Sequence, residues 1–81
     1  AAASNKKEDL ESLEKLAKLV KKEFPDSMLG AYYLGMYYEK EGNYKKALLQ
    51  YKGGLLLQPS QSVDKEVMLE KMYDAEEALN N

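Results

Sequence analysis

The residues that could do chemistry are carboxylates, lysines, tyrosines and serines, because the chain contains neither histidine nor cysteine. Serines stand at positions 4, 12, 27, 60 and 62, and none has an imidazole to take its proton. Without thiolate or imidazole, a structural zinc site is excluded. Carboxylates come in pairs, Glu39 with Glu41 and Glu76 with Glu77, but each pair sits on a charged helix face. That is the pattern of a solvated helix face, whereas acid–base work needs a proton donor held against a substrate. Gly53 and Gly54 lack the following Lys-Ser/Thr of a phosphate-binding loop. The four methionines fall at helical spacing and read as core filler. No catalytic residue, metal ligand or cofactor box emerges, and the chain is expected not to be an enzyme.

What remains is contact chemistry. Tyr32, with Leu29, Met36 and Glu39, falls on one side of a helix, and Tyr33 adjoins it. Tyrosine and methionine offer large, adaptable contact area. Charged residues make up 32% of the chain, both signs are interspersed and the net charge is −2. A nucleic-acid partner would need a basic surface to displace counterions from phosphates. No apolar run approaches the roughly 20 residues that span a bilayer. The expected partner is a protein or peptide, or a neighbouring domain of the same chain, with no nucleic acid and no membrane. Cytoplasm and periplasm both fit a chain without cysteine.

The elements that position these residues are helical. Leucine, methionine and tyrosine supply the core candidates, while threonine and isoleucine are absent, and no alternating β-branched run occurs. Residues 1–5 read as a linker, which suggests a piece of a longer chain. A first helix is expected from Asn5 to Phe24, with Asn5 and Glu8 as a capping box and Leu10, Leu13, Leu16, Ala17, Val20 and Phe24 as its apolar stripe. Pro25 stops it. Asp26 or Ser27 caps a second helix to about Glu41, and Gly42-Asn43 turns the chain. The third helix runs from Tyr44 to Leu57 or Gln58, before Pro59. Ser60 or Ser62 caps a fourth, from Val63 to about Leu79.

Pro25 and Pro59 are 34 residues apart. Between them stand Leu34, Gly35, Tyr38, Ala47, Tyr51 and Gly54. This run resembles the tetratricopeptide repeat, whose signature spaces Leu-Gly, Tyr, Ala, Phe, a small residue and Pro over one such period. Tyr51 stands for the phenylalanine, and Ala31 stands where that family carries a bulky residue. The resemblance implies an all-α, antiparallel helix-turn-helix repeat stack of four helices, forming one domain over 6–81. It divides into a half repeat at 6–27, a full repeat at 28–61 and a capping helix at 62–79. Small residues Gly35 and Ala47 are expected to face each other, with Leu34, Tyr38, Leu48 and Tyr51 around them. Gly53 and Gly54, read as mid-helix, would each cost about 1 kcal/mol relative to alanine, which points to tight packing against the fourth helix.

The resemblance further implies a non-catalytic protein-interaction module. Its concave groove would be lined by Leu29, Tyr32, Tyr33, Met36 and Tyr73. Members that clamp a peptide's terminal carboxylate use Lys and Asn, where this chain has Tyr32 and Met36, so a carboxylate clamp is not expected. Two alternatives stand beside this. The run from Tyr33 to Lys40, with Met68 to Lys71, is similar to the C-terminal extension of bacterial esterase-type α/β hydrolases, implying an accessory domain. The open ends of a short stack also imply a self-associating two-fold dimer.

Overall fold

The computed structural model describes residues 6–80, with side chains from residue 8. Four helices account for most of it: α1 (Lys6–Glu23), α2 (Met28–Lys40), α3 (Tyr44–Gly54) and α4 (Lys65–Asn80). No named strand occurs among the described residues. Each helix packs chiefly on its neighbours in the chain: α1 on α2, α2 on α3 and α3 on α4, with α2 just touching α4. The molecule measures 38 × 33 × 18 Å. Its thin dimension is about two helix diameters, so the helices lie two deep.

Local chemistry explains each boundary. α1 carries Glu8 and Asp9 in its first turn and Lys21 and Lys22 in its last, matching the helix dipole at both ends. Asn5, read as its cap, lies outside the described residues. The helix ends one residue earlier than expected, at Glu23, because Phe24 precedes a proline. Ser27 is the cap of α2: its Oγ accepts from the Leu29 N–H at 3.2 Å.

The α2–α3 turn is a Schellman motif. The Gly42 N–H donates to Glu39 O at 3.0 Å, and the Asn43 N–H to Tyr38 O at 2.8 Å. Gly42 has φ 83°, the left-handed conformation that this turn demands. Asn43 at once caps α3, its Oδ1 accepting from the Lys46 N–H at 3.3 Å.

α3 stops at Gly54, short of the expected Leu57 or Gln58. The path coils on, but Leu56 N–H donates to Gly53 O at 3.2 Å and Leu57 N–H to Gly54 O at 3.0 Å. These tighter three-residue bonds mark the fraying of an α-helix end. Gly53 and Gly54 are thus at the helix end, not its middle, and their cost is smaller than a mid-helix pair would carry. α4 starts at Lys65 instead of Val63, and its cap is Asp64 instead of Ser60 or Ser62. Asp64 Oδ1 accepts from the Val67 N–H at 3.0 Å. Ser60 instead folds the preceding loop, exchanging bonds with Val63: its N–H donates to Val63 O at 2.8 Å, and its Oγ accepts from the Val63 N–H at 3.0 Å. That brings Val63 into the core.

The core cluster joins Met28 and Ala31 of α2, Ala47 and Tyr51 of α3, Val63, and Met68 and Ala75 of α4. Gly35 is where α2 and α3 approach closely, and the atoms nearest to it there are those of the Tyr51 ring. A methyl group on Gly35 would stand 2.3 Å from Tyr51 Cε1. Gly54 plays the same part towards α4, where an added methyl would meet Met68 Cε and the Ala31 Cβ. Ala31 thus leaves room that the flexible Met68 thioether fills. Gly53 has open space around it and no packing reason to be glycine.

The α1 stripe is only partly buried. Ala17 is fully covered, and Leu10, Leu13 and Val20 half so, but Leu16 and Phe24 are exposed. α1 comes close to α2 at Gly30, where an added methyl would sit 3.0 Å from Lys21 Cα.

Candidate protein-contact face

α2 is held from two sides, by α1 and by α3, and the rest of its surface carries aromatic and apolar residues. Its neighbours need glycine on the packed side: Gly30 lets α1 in, and Gly35 lets the Tyr51 ring in. Tyr32, Tyr33, Met36, Tyr37, Tyr38 and Glu39 remain half-buried. The Tyr32 and Tyr33 rings lie 5.7 Å apart at 58°, and those of Tyr37 and Tyr38 5.4 Å apart at 53°. Such tilted pairs are favourable between quadrupoles.

Of the residues expected to line a groove, Leu29 and Tyr32 pack against the core cluster while keeping part of their surface open. Lys71 of α4 reaches over the Tyr32 ring, its Nζ 5.7 Å from the ring centre, so one edge of that face borders α4. Tyr33 and Met36 are half-buried outside the core cluster. Tyr73 is 60% exposed on α4. Val63, ahead of α4, is buried in the core. Of the repeat-signature positions, Gly35, Ala47, Tyr51 and Gly54 are buried, Leu34 and Tyr38 half-buried, and Pro59 exposed.

Two phenols have an unusual electrostatic setting. Tyr51 is wholly buried, and its hydroxyl has no hydrogen-bond partner. Burial pushes its ionisation well above the ordinary tyrosine range, and the nearby Glu39 carboxylate adds to this without reaching good hydrogen-bonding geometry. Tyr37 is pushed up to about 12 by desolvation and by the Glu41 and Glu14 carboxylates. Both phenols stay neutral at physiological pH, so neither acts as a base.

Sequence reasoning missed Gly30, whose role depends on α1 crossing at that point, and Tyr37, whose setting depends on Glu14 from another helix. It also missed Leu19, Leu49 and Leu56, which are 55%, 62% and 89% exposed. Leu19 sits off the apolar stripe of α1, and that spacing was the available signal. Two surface depressions lie elsewhere. One, of about 420 Å³, joins the Gly42 turn to Ala78 and Leu79. The other, of about 320 Å³, lies between the loops carrying Pro25 and Pro59. The second is lined by Ser27 with Glu23 and Asp26, and the Ser27 Oγ is engaged there as the cap of α2. No group of carboxylates among the described residues is arranged to hold a metal ion. Among the described residues, no helix is long and apolar enough to cross a membrane.

In comparisons with known proteins, no family model, no curated protein and no solved structure matches this chain.

Proposed function

We propose that the chain is a non-catalytic protein-interaction module of tetratricopeptide type, which holds a partner segment on the aromatic face of α2. The observation that carries this reading is the row Tyr32, Tyr33 and Met36, partly open to solvent on a helix whose packed side is built from glycines. A repeat architecture is supported by two further features. Gly35 under Tyr51 and Gly54 under Met68 are close approaches at two signature positions. The two proline loops, one period apart, also lie side by side in parallel: the Gln58 N–H donates to Asp26 O at 2.6 Å and the Met28 N–H to Gln58 O at 2.8 Å.

Leu29, Tyr32, Tyr33, Met36 and Tyr73 are the contact residues of this reading. Glu39 lies on the same side of α2 and Lys71 of α4 over the Tyr32 ring, so the fitting segment is chiefly apolar. The test is selection of linear peptides from a random displayed library, followed by chemical-shift mapping on the ¹⁵N-labelled chain. Shifts should cluster on those five residues. Tyr32→Ala should weaken the selected peptide roughly tenfold, as loss of a buried aromatic anchor does. Binding unaffected by Tyr32→Ala overturns the assignment.

A further inference from the structure

The outer side of α3 combines three features that nothing inside the chain explains. Ala47, Tyr51 and Gly54 are buried on its inner side. Helical spacing gathers Lys45, Leu49, Lys52, Gly53 and Leu56 on the opposite side, and all five are exposed. Leu49 and Leu56 have the two largest exposures among the large apolar residues of the described chain. From Gly42 to Val63 there are three lysines and no carboxylate. One of them, Lys46, is turned to the Tyr38 ring, its Nζ 5.6 Å from the ring centre. Glu41 adjoins Lys45 at the turn. Lys52 has only leucines three and four residues away on either side, Leu48, Leu49, Leu55 and Leu56. Among the described residues neither Lys45 nor Lys52 is ion-paired.

Gly53 stands between Leu49 and Leu56 on this side. Its φ is not positive, so the backbone does not require glycine there. An added methyl would meet nothing within 4 Å, so no neighbour in the chain requires it either. Within the molecule this glycine only weakens the helix. Against a second helix it has a use. A missing side chain lets two helix axes come close, with larger residues packing on either side of the crossing. A fluid lipid surface gains nothing from a missing Cβ, so the occupant with this need is a rigid helix.

We propose that the outer side of α3 docks a helix of another protein, crossing at Gly53. That helix is apolar where it meets Leu49 and Leu56, and it carries carboxylates toward Lys45 and Lys52. The acidic helix of this chain, α4, does not have that form. Of its large apolar residues only Tyr73 and Leu79 are exposed, and six residues apart they lie on different sides. The partner is therefore not a second copy. This surface is separate from the aromatic face of α2 and does not depend on it.

The test is selection from a displayed library of alanine-based helices about 20 residues long, enough to hold helical structure, with one side randomised. Recovered helices should carry leucine on one stripe with glutamate or aspartate beside it. Chemical shifts of the ¹⁵N-labelled chain should move at Lys45, Leu49, Lys52, Gly53 and Leu56. Gly53→Met should weaken the selected helix about tenfold by filling the crossing point. Urea melts should find that variant at least as stable as wild type, and if circular dichroism shows lost helix, Leu49→Ser with Leu56→Ser replaces it with the same expected loss. Lys45→Glu with Lys52→Glu should weaken binding by a similar factor, and exchanging the helix's carboxylates for lysine should restore it. Tyr32→Ala should leave this binding unchanged, which separates failure here from failure of the α2 reading. Recovered helices that are neutral or basic, or shifts away from α3, overturn the proposal. So does binding to phosphatidylserine vesicles that ignores Gly53→Met, which gives the stripe to a lipid surface. A dimer of the chain alone that Leu49→Ser with Leu56→Ser abolishes overturns it too, by giving the stripe to a second copy.

Discussion

Alanine at Gly35 sets two opposing effects against each other, and the structure decides between them. Gly→Ala within a helix is favourable by up to about 1 kcal/mol, because the unfolded chain loses freedom and the helix is a better place for alanine. At Gly35 the new methyl would stand 2.3, 2.6 and 2.9 Å from Cε1, Cζ and Cδ1 of Tyr51. Those are ring atoms of a residue that is 0% exposed, so the ring cannot swing clear. Overpacking of this kind costs about 1–3 kcal/mol. The net loss should be about 1–2 kcal/mol out of the roughly 4–12 kcal/mol expected for a chain of this size. In urea, with a slope near 1 kcal/mol per molar for a small domain, the midpoint should fall by about 1–2 M. Gly53→Ala is the matched control, because nothing lies within 4 Å of its added methyl. It should raise the midpoint by a few tenths of a molar, less than a mid-helix site, since Gly53 is in the last turn. A Gly35→Ala protein as stable as wild type would refute the claim that Tyr51 is wedged beneath Gly35.

Two further predictions concern the phenols. Tyr51→Phe removes a buried hydroxyl without a partner, so stability should rise by about 1 kcal/mol in urea melts. A loss of similar size would mean that the hydroxyl bonds Glu39 after all. Tyr37 ionises at about 12 in the folded chain against about 10 unfolded. Because the folded value is raised, its contribution to stability is complete below pH 10 and is lost between pH 10 and pH 12. Tyrosinate absorbance of the folded chain should therefore show a late component that Tyr37→Phe reduces, and an unchanged late component refutes the role of Glu41 and Glu14.

How much could be read without coordinates differs by element. Four helices, a cap at Asp26 or Ser27, the stop before Pro25 and the Gly42-Asn43 turn follow from local rules, because capping and left-handed residues act within four positions of themselves. The end of α3 and start of α4 were misplaced by two to four residues. There, three-residue bonds and the Ser60–Val63 exchange compete with the α-helix at little cost, and composition does not rank them. The α1 stripe shows the other limit. Spacing says which side of a helix is apolar, yet whether Leu16 meets a neighbour depends on where α2 crosses. Likewise the small residue Gly35 announces a close approach but not its partner. The candidate face was legible as a cluster of tyrosines on α2. That Lys71 would lie over Tyr32 required the path of α4.

The order in which the helices touch has a kinetic consequence. Each helix packs chiefly on the one made just before it, so the helix–helix contacts join elements adjacent in the chain. Little loop-closure entropy is spent before contacts begin to form. The α2–α3 hairpin, joined through Asn43 with no spare residue, should form early, and the outer helices should zip onto it from either side. Folding of this kind belongs to the microsecond-to-millisecond range of helical proteins with local contacts. By the same geometry, the end helices are the first to leave when the molecule opens.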